Sequence, residues 1–266
     1  NRLPFIVTGL ALVFADRAAS AQASPAPETK AEATSASEPP AVPAVESWFK
    51  ITHQTRHIGH ARLAVSQLTA KEGPVLRLVL ESSYLNPENN LPASSRTEAD
   101  LQAGALSILQ YRYAADMMQP PFGRIELLVT CARKDKTKWT AVHEGPQGRF
   151  PTEDLVSEEP LTIEEALSFL VARREDLKRN GGALRAKIFN PIHLDKLTLD
   201  ADIEVLPPEK RTYGSADAMV TPYRWKRPGL LAQSTVTMTE YITEKGDLQE
   251  SIQLTSPSPV PFVFIR

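Results

Sequence analysis

Three histidines cluster in one short stretch, where their spacing could support metal binding. His53, His57 and His60 lie at the junction of two predicted strands. In a hairpin, His53 and His60 would face each other across the strands, with His57 in the turn. Imidazoles placed in this way could bind Zn²⁺ or Cu²⁺. A closed zinc site needs a fourth ligand, and the hairpin supplies no cysteine or carboxylate, so a solvated hairpin is the alternative interpretation.

The single cysteine is the other candidate for chemistry. Cys131 follows Leu127 and Val129 in an alternating run, so the three side chains share one face of a predicted strand. Reactive cysteines need a partly exposed, electropositive setting, and we therefore expect Cys131 to be buried and inert. The sequence also has no Gly-x-Ser-x-Gly elbow, phosphate loop or dinucleotide fingerprint. These observations predict a protein that is not an enzyme and needs no cofactor.

The carboxylates have a structural explanation as well as a chemical one. Glu164 and Glu165 lie at the start of a predicted helix, where the helix dipole favours negative charge. Thr162 and Glu165 have the spacing of a capping box. A strand face farther along carries Asp200, Asp202 and Glu204, which could bind Ca²⁺, although a solvated face is the simpler explanation.

Basic residues cluster from the end of the predicted helix onwards: Arg173, Arg174, Lys178, Arg179, Arg185 and Lys187. They could meet an anionic envelope surface. We prefer the interpretation that they complement the negative end of the helix dipole. The whole chain has a formal net charge of −2, which argues against nucleic acid as the main partner.

The N-terminal stretch predicts export. An apolar run, Leu3 to Phe14, follows Arg2 and precedes a small-residue patch, which is the layout of a secretory signal peptide over residues 1–23. The run is too short for a membrane span, so no transmembrane span is expected in the mature chain. Residues 24–46 are rich in proline and alanine and lack aromatic residues, which predicts a disordered tether. We therefore expect a periplasmic or secreted protein.

The remainder of the chain, residues 47–266, alternates with period two and predicts a single β-rich domain. Such alternation is typical of antiparallel strands with one buried face. One helix interrupts it, with an apolar stripe after Thr162 and a stop at Asn180-Gly181-Gly182. A sheet of this size must curl or close. The predicted fold is mainly β (α+β): a large curved antiparallel sheet or half-open β-barrel with one helix packed on it.

Three segments carry a resemblance to known families. They are Trp48-Phe49-Lys50-Ile51 with the following Arg56 to Arg62, the stretch Ala186 to Pro191, and the closing Pro261 to Arg266. The chain resembles exported bacterial proteins of unknown function with the open β-barrel of lipoprotein carriers. It is also similar to the non-catalytic N-terminal region of bacterial transglutaminase-like proteins. The resemblance implies a module without known catalysis.

The leading hypothesis is a non-enzymatic module of the bacterial cell envelope. Its curved sheet would bind an apolar ligand such as a lipid, a lipidated segment or a partner protein. The alternative is an accessory N-terminal domain of a transglutaminase-like envelope enzyme whose catalytic part is not in this chain. An unfilled apolar cavity between helix and sheet is the structural feature that the first hypothesis requires.

Overall fold

The computed structural model describes residues 45–70, 73–87, 89–121, 123–146, 148–191, 197–229, 234–256 and 260–266. The predicted signal peptide and nearly all of the predicted tether lie outside these residues. Within them the chain forms sixteen strands. The strands are β1 (Val45–His53), β2 (Arg56–Ala70), β3 (Gly73–Leu85), β4 (Pro92–Gln102), β5 (Ser107–Gln119), β6 (Gly123–Arg133), β7 (Lys138–Gly145), β8 (Gly148–Val156), β9 (Leu161–Thr162), β10 (Gly182–Phe189), β11 (Thr198–Val205), β12 (Glu209–Tyr213), β13 (Ala216–Pro228), β14 (Thr235–Thr243), β15 (Leu248–Ser256) and β16 (Phe262–Ile265).

All these strands belong to one sheet, in the order β8-β7-β6-β5-β4-β3-β2-β1-β16-β15-β14-β13-β11-β10-β9, with β12 paired to β13. Among the described strands, every pairing is antiparallel except that of β9 with β10. Strands β1 to β8 follow each other as hairpins, as the alternating pattern predicts. The mainly β, curved-sheet fold is confirmed.

The last strand joins the two halves of the sheet. β16 pairs with β1 on one side and with β15 on the other. In this way Phe264 lies opposite Ile51 in β1 and opposite Ser251 in β15. The closing residues therefore complete the sheet, so that strands from both ends of the described chain form one continuous inner face.

The inner face is apolar because alternate residues of each strand point towards it. In β6, Ile125, Leu127, Val129 and Cys131 are buried, and β11 buries Leu199, Ala201, Ile203 and Val205. The sheet curls far enough for Phe189 of β10 to meet the ring of Tyr111 in β5 edge-on, with 5.2 Å between centroids. Burial of these faces is the main stabilising contribution.

The predicted single helix is three short pieces. A 3₁₀ turn (Glu164–Ala166) leads into α1 (Leu167–Ala172), and α2 (Glu175–Asn180) follows after a break at Arg173 and Arg174. The apolar stripe packs against the sheet as expected, since Leu167, Val171 and Leu177 join the core formed by β10, β11 and β13. No helix among the described residues is long and apolar enough to cross a membrane.

The first hairpin contains two unusual backbone features. Gln54 and Thr55 form its two-residue turn, and both have positive φ, 50° and 64°. Farther along β2, Gly59 lies opposite Tyr84 of β3. A Cβ atom on Gly59 would lie 2.1 Å from the Ser83 carbonyl oxygen and 2.5 Å from the Tyr84 Cα, so the two strands approach closely only because this residue is glycine.

Candidate ligand-binding cavity

A cavity of about 400 Å³ lies between the curved sheet and the 3₁₀ turn. Its volume is within the range of small-molecule sites, roughly 300–1,000 Å³. Apolar side chains from β1, β2, β3 and β16 form one wall: Phe49, Ile51, Leu63, Leu80, Phe262 and Phe264. This is the cavity that the apolar-ligand hypothesis requires.

The strand register explains why these residues meet. Ile51 lies opposite Phe264, Phe264 opposite Ser251, and Ser251 opposite Glu240. Residues that face each other directly across an antiparallel sheet project to the same side, so this row crosses four strands along the inner face. The row begins at an apolar side chain and ends at a carboxylate, and all four residues line the cavity.

The part of the cavity next to this apolar wall is acidic. Glu164 and Glu165 reach the cavity from the 3₁₀ turn, Glu240 from β14, and Arg227 from β13. Arg227 forms an ion pair with Glu164, in which Nη2 also lies 3.4 Å from Oε2. We call Glu164, Glu165 and Glu240 the acidic cluster.

Glu165 accepts a hydrogen bond from a residue that is distant in the sequence. Thr97 Oγ1 of β4 donates a hydrogen bond to Glu165 Oε1, 3.1 Å away. Burial and, less strongly, the nearby charge of Glu164 raise the pKa of Glu165, whereas the Thr97 hydrogen bond and the charge of Arg227 lower it. The net result is a pKa of about 7. The carboxyl group of Glu165 therefore keeps its proton to a higher pH than an exposed glutamate does.

Glu240 experiences a similar environment. Burial and, less strongly, the charges of Glu164 and Glu165 raise its pKa, the nearby Ser251 hydroxyl lowers it, and the net result is a pKa of about 8. Strongly raised carboxyl pKa values in a cavity are typical of functional sites, although structural clusters produce them too. The cavity thus holds two carboxyl groups whose pKa values lie well above the ordinary value for glutamate.

The capping-box prediction for Glu165 is wrong. The 3₁₀ turn has Ile163 as its N-cap and no side-chain capping hydrogen bond, and the Thr162 hydroxyl is buried without a hydrogen-bond partner among the described residues. The carboxylate of Glu165 instead bonds Thr97, which is 68 residues away in the sequence. The local spacing of Thr162 and Glu165 therefore did not indicate that Glu165 lines the cavity, because only the fold brings Thr97 next to Glu165. Glu240 and Arg227 were also missed, because each appears as one charged residue in an alternating strand.

The structure does not bring the three histidines of the first hairpin together. His60 lies opposite Lys50 rather than His53, and its ring is 6.0 Å from that of Trp48. His57 Nε2 donates to the Gly59 carbonyl oxygen at 2.7 Å. The ring of His53 lies 4.8 Å from that of Phe262. No group of three His, Cys, Asp or Glu residues placed to hold a metal occurs within the described parts of the chain. The metal-site hypothesis gains no support from this arrangement and stays a prediction.

Cys131 lies where the sequence predicts. It is buried on the inner face of β6, next to Val129, and burial raises the pKa of its thiol to about 12. The thiolate is the nucleophilic form of cysteine, and it is not populated at neutral pH with such a pKa.

Two residues of the acidic strand face form ion pairs with two residues of the basic patch. Arg185 lies opposite Asp202, and Lys187 opposite Asp200, in the β10–β11 ladder. Arg185 also bonds Asp200 at 2.9 Å, and Lys187 lies 3.4 Å from the same carboxylate. Opposite charges directly across strands stabilise a sheet modestly. These ion pairs account for two residues of each set, and Arg174 and Lys178 of the basic patch pair with Asp176 and Glu175 instead.

The fold defines the class of protein: a mainly β, barrel-like protein whose large sheet curls around a cavity. Among solved structures, the chain is similar to the crystal structure of a beta-barrel-like protein of domain of unknown function DUF1849 from Brucella abortus. The two share 9% sequence identity and a TM-score of 0.52, and the match covers 83% of this chain and 94% of that chain. At this identity the likeness shows the fold alone.

The other two comparisons find no relatives. No family model matches the chain, and no curated protein matches it. The structural similarity supports the part of the sequence resemblance that concerns a β-barrel of unknown function. The similarity to transglutaminase-like proteins stays a prediction.

Proposed function

We propose that this protein is a non-enzymatic, exported module that holds an apolar ligand in the cavity between its sheet and its 3₁₀ turn. The observation that supports this proposal best is the cavity of about 400 Å³ with an apolar wall from β1, β2, β3 and β16. Such a wall releases ordered water when an alkyl or acyl chain covers it, which favours binding. Export rests on the N-terminal sequence pattern.

Two adjacent serines of β4 provide a matched pair of variants. Ser95 lines the cavity, whereas Ser94 is exposed on the outer face of the same strand. A Ser95→Phe side chain would occupy cavity volume, and a Ser94→Phe side chain would extend into solvent. The two substitutions add the same ring at neighbouring positions, so they differ only in whether the ring lies in the cavity or in solvent.

The experiment measures binding of dodecanol to the purified chain by displacement of an environment-sensitive fluorescent probe. We expect saturable binding to the wild type and to Ser94→Phe, and a loss of at least roughly 10-fold in affinity for Ser95→Phe, equivalent to about 1.4 kcal/mol. Circular dichroism establishes that both variants are folded. Absence of saturable binding to the wild type, or equal binding by the two variants, would contradict the proposal. Native mass spectrometry of protein purified from its own envelope then identifies the natural ligand.

Export is tested separately, by cell fractionation and mass spectrometry of the mature N-terminus. We expect the protein in the periplasm or the medium, with cleavage after Ala21 or Ala23. An uncleaved chain in the cytoplasm would exclude this part of the proposal.

A further inference from the structure

The cavity contains more acidic than basic side chains. Arg227 is the one basic residue among the described residues that line it, and the ion pair with Glu164 occupies its guanidinium. Its charge lowers the pKa of Glu165, but by less than burial raises it. The acidic cluster therefore has one cation for three carboxyl groups.

Ionising the remaining two carboxyl groups is unfavourable in this setting. A carboxylate in an apolar, protein-enclosed environment loses hydration, and this loss must be balanced by a hydrogen bond or an opposite charge. Glu165 accepts a hydrogen bond from the hydroxyl of Thr97, whereas the hydroxyl of Ser251, close to Glu240, donates to Met238 Sδ at 3.0 Å. Neither hydroxyl carries a charge. A cation bound between the two carboxyl groups would supply one.

The strand register places the apolar wall next to the acidic cluster. Phe264, Ser251 and Glu240 occupy successive strands in one row. A ligand chain lying along Phe264 would therefore place its end group close to Glu240. The same cavity provides both an apolar surface for a chain and carboxyl groups for its end.

Building on the proposed apolar-ligand function, we propose that the ligand is a cationic amphiphile, an alkyl or acyl chain with an ammonium group. The chain covers Phe49, Leu63 and Phe264, and the ammonium group lies between Glu165 and Glu240. A fatty acid fits less well, because its carboxylate would meet the acidic cluster and Arg227 is already paired. A long-chain alcohol gains only a hydrogen bond.

The test compares dodecylamine, dodecanol and laurate, which share a chain length and differ in the head group. Each is titrated calorimetrically into the full chain at pH 7.5, below the concentration at which it aggregates. We expect dodecylamine to bind roughly 10-fold more tightly than dodecanol, and laurate to bind most weakly. Binding of the amine to the same site is shown by its loss in Ser95→Phe and its retention in Ser94→Phe.

Proton release provides a second readout on the wild-type protein. The ammonium group favours ionisation of Glu165 and Glu240, whose pKa values are about 7 and 8 in the free protein. Dodecylamine should therefore release protons, seen as a dependence of the binding heat on the ionisation enthalpy of the buffer. Dodecanol should release none.

Glu240→Gln and Glu165→Gln remove one charge each with little change in shape. Glu126→Gln is the matched control, because Glu126 lies on the outer face of β6 and pairs with Arg124 at 3.1 Å. We expect either cavity variant to lose roughly 10-fold in affinity for the amine and to keep its affinity for the alcohol. The control should bind both as the wild type does.

The outcomes separate the two proposals. Equal affinities for amine and alcohol, absence of proton release with the amine, or unchanged amine binding in both cavity variants would overturn the cationic ligand and leave the apolar cavity function intact. Failure of all three compounds to bind would overturn both. If one variant does not fold, the other variant and the proton release of the wild type still decide the question.

Discussion

Thr97 donates a hydrogen bond to Glu165 and so connects the middle of the sheet to the turn that precedes the helices. The two residues are 68 positions apart, and the distance from Oγ1 to Oε1 is 3.1 Å. Thr97 faces inwards in the row that also contains Leu80 and Tyr113. The bond therefore holds a carboxyl group over the cavity, where a helix cap would have directed it towards the backbone.

Replacing Thr97 by valine should raise the pKa of Glu165 above its present value of about 7, because the hydrogen bond from Thr97 lowers it. Valine keeps the shape of threonine and removes the donor. The measurement is the pH titration of the glutamate side-chain carbon signals by nuclear magnetic resonance. Thr130→Val, on the outer face of β6, is the control and should leave this titration unchanged. A Glu165 titration identical in wild type and Thr97→Val would show that the bond has no effect on the carboxyl group.

Stability should fall as the pH rises from about 5 to 8. An unfolded glutamate has a pKa of about 4.3, whereas those of Glu165 and Glu240 in the folded protein are about 7 and 8. Within this window the folded state holds protons that the unfolded state has lost, so the free energy of unfolding decreases with pH. Each carboxyl contributes at most about 1.4 kcal/mol per pH unit.

Glu240→Gln should make this pH dependence shallower, because its amide does not titrate. The melting temperature, measured at intervals from pH 5 to pH 8, provides the check, with Glu126→Gln as control. A wild-type melting temperature that stays constant or rises over this window would contradict the raised pKa values.

A methyl group at Gly59 should destabilise the protein, because the added Cβ would overlap the backbone of β3 at Ser83 and Tyr84. Overpacking of this kind costs about 1–3 kcal/mol. Tyr84 lines the cavity, so Gly59→Ala should also weaken ligand binding. Gly104→Ala is the matched control, since a Cβ there has no neighbour within 4 Å. Urea unfolding of both variants measures the difference, and equal midpoints would show that β2 and β3 separate at little cost.

Thr55→Gly should stabilise the first hairpin. Thr55 has a φ of 64°, which is unfavourable for a β-branched side chain and accessible to glycine. Relief of this strain is worth about 1 kcal/mol, and the higher entropy of glycine in the unfolded chain offsets part of it. The melting temperature should rise by about one or two degrees. A Gly214→Ala variant, at a glycine with a φ of 62°, is the converse control and should lower it.

The strands and most turns of this protein follow from local patterns in the sequence. The alternation in Ile125, Leu127, Val129 and Cys131 predicts which side of β6 is buried, and the burial confirms it. The turn at residues 134–137 joins β6 to β7, as its polar residues indicate. These features are predictable because strand periodicity and turn chemistry act between residues that are close in the sequence.

By itself, the sequence determined the β class, the hairpin succession and the burial of Cys131. Tertiary structure decided that β16 joins β1 to β15, that the helix breaks at Arg173, and that the charges of Arg185 and Asp200 neutralise each other. It also placed Glu165 and Glu240 beside one cavity. The physical reason is that the hydrogen-bond partner and the burial of a charged group depend on residues from distant strands, and no local pattern encodes which strands become neighbours.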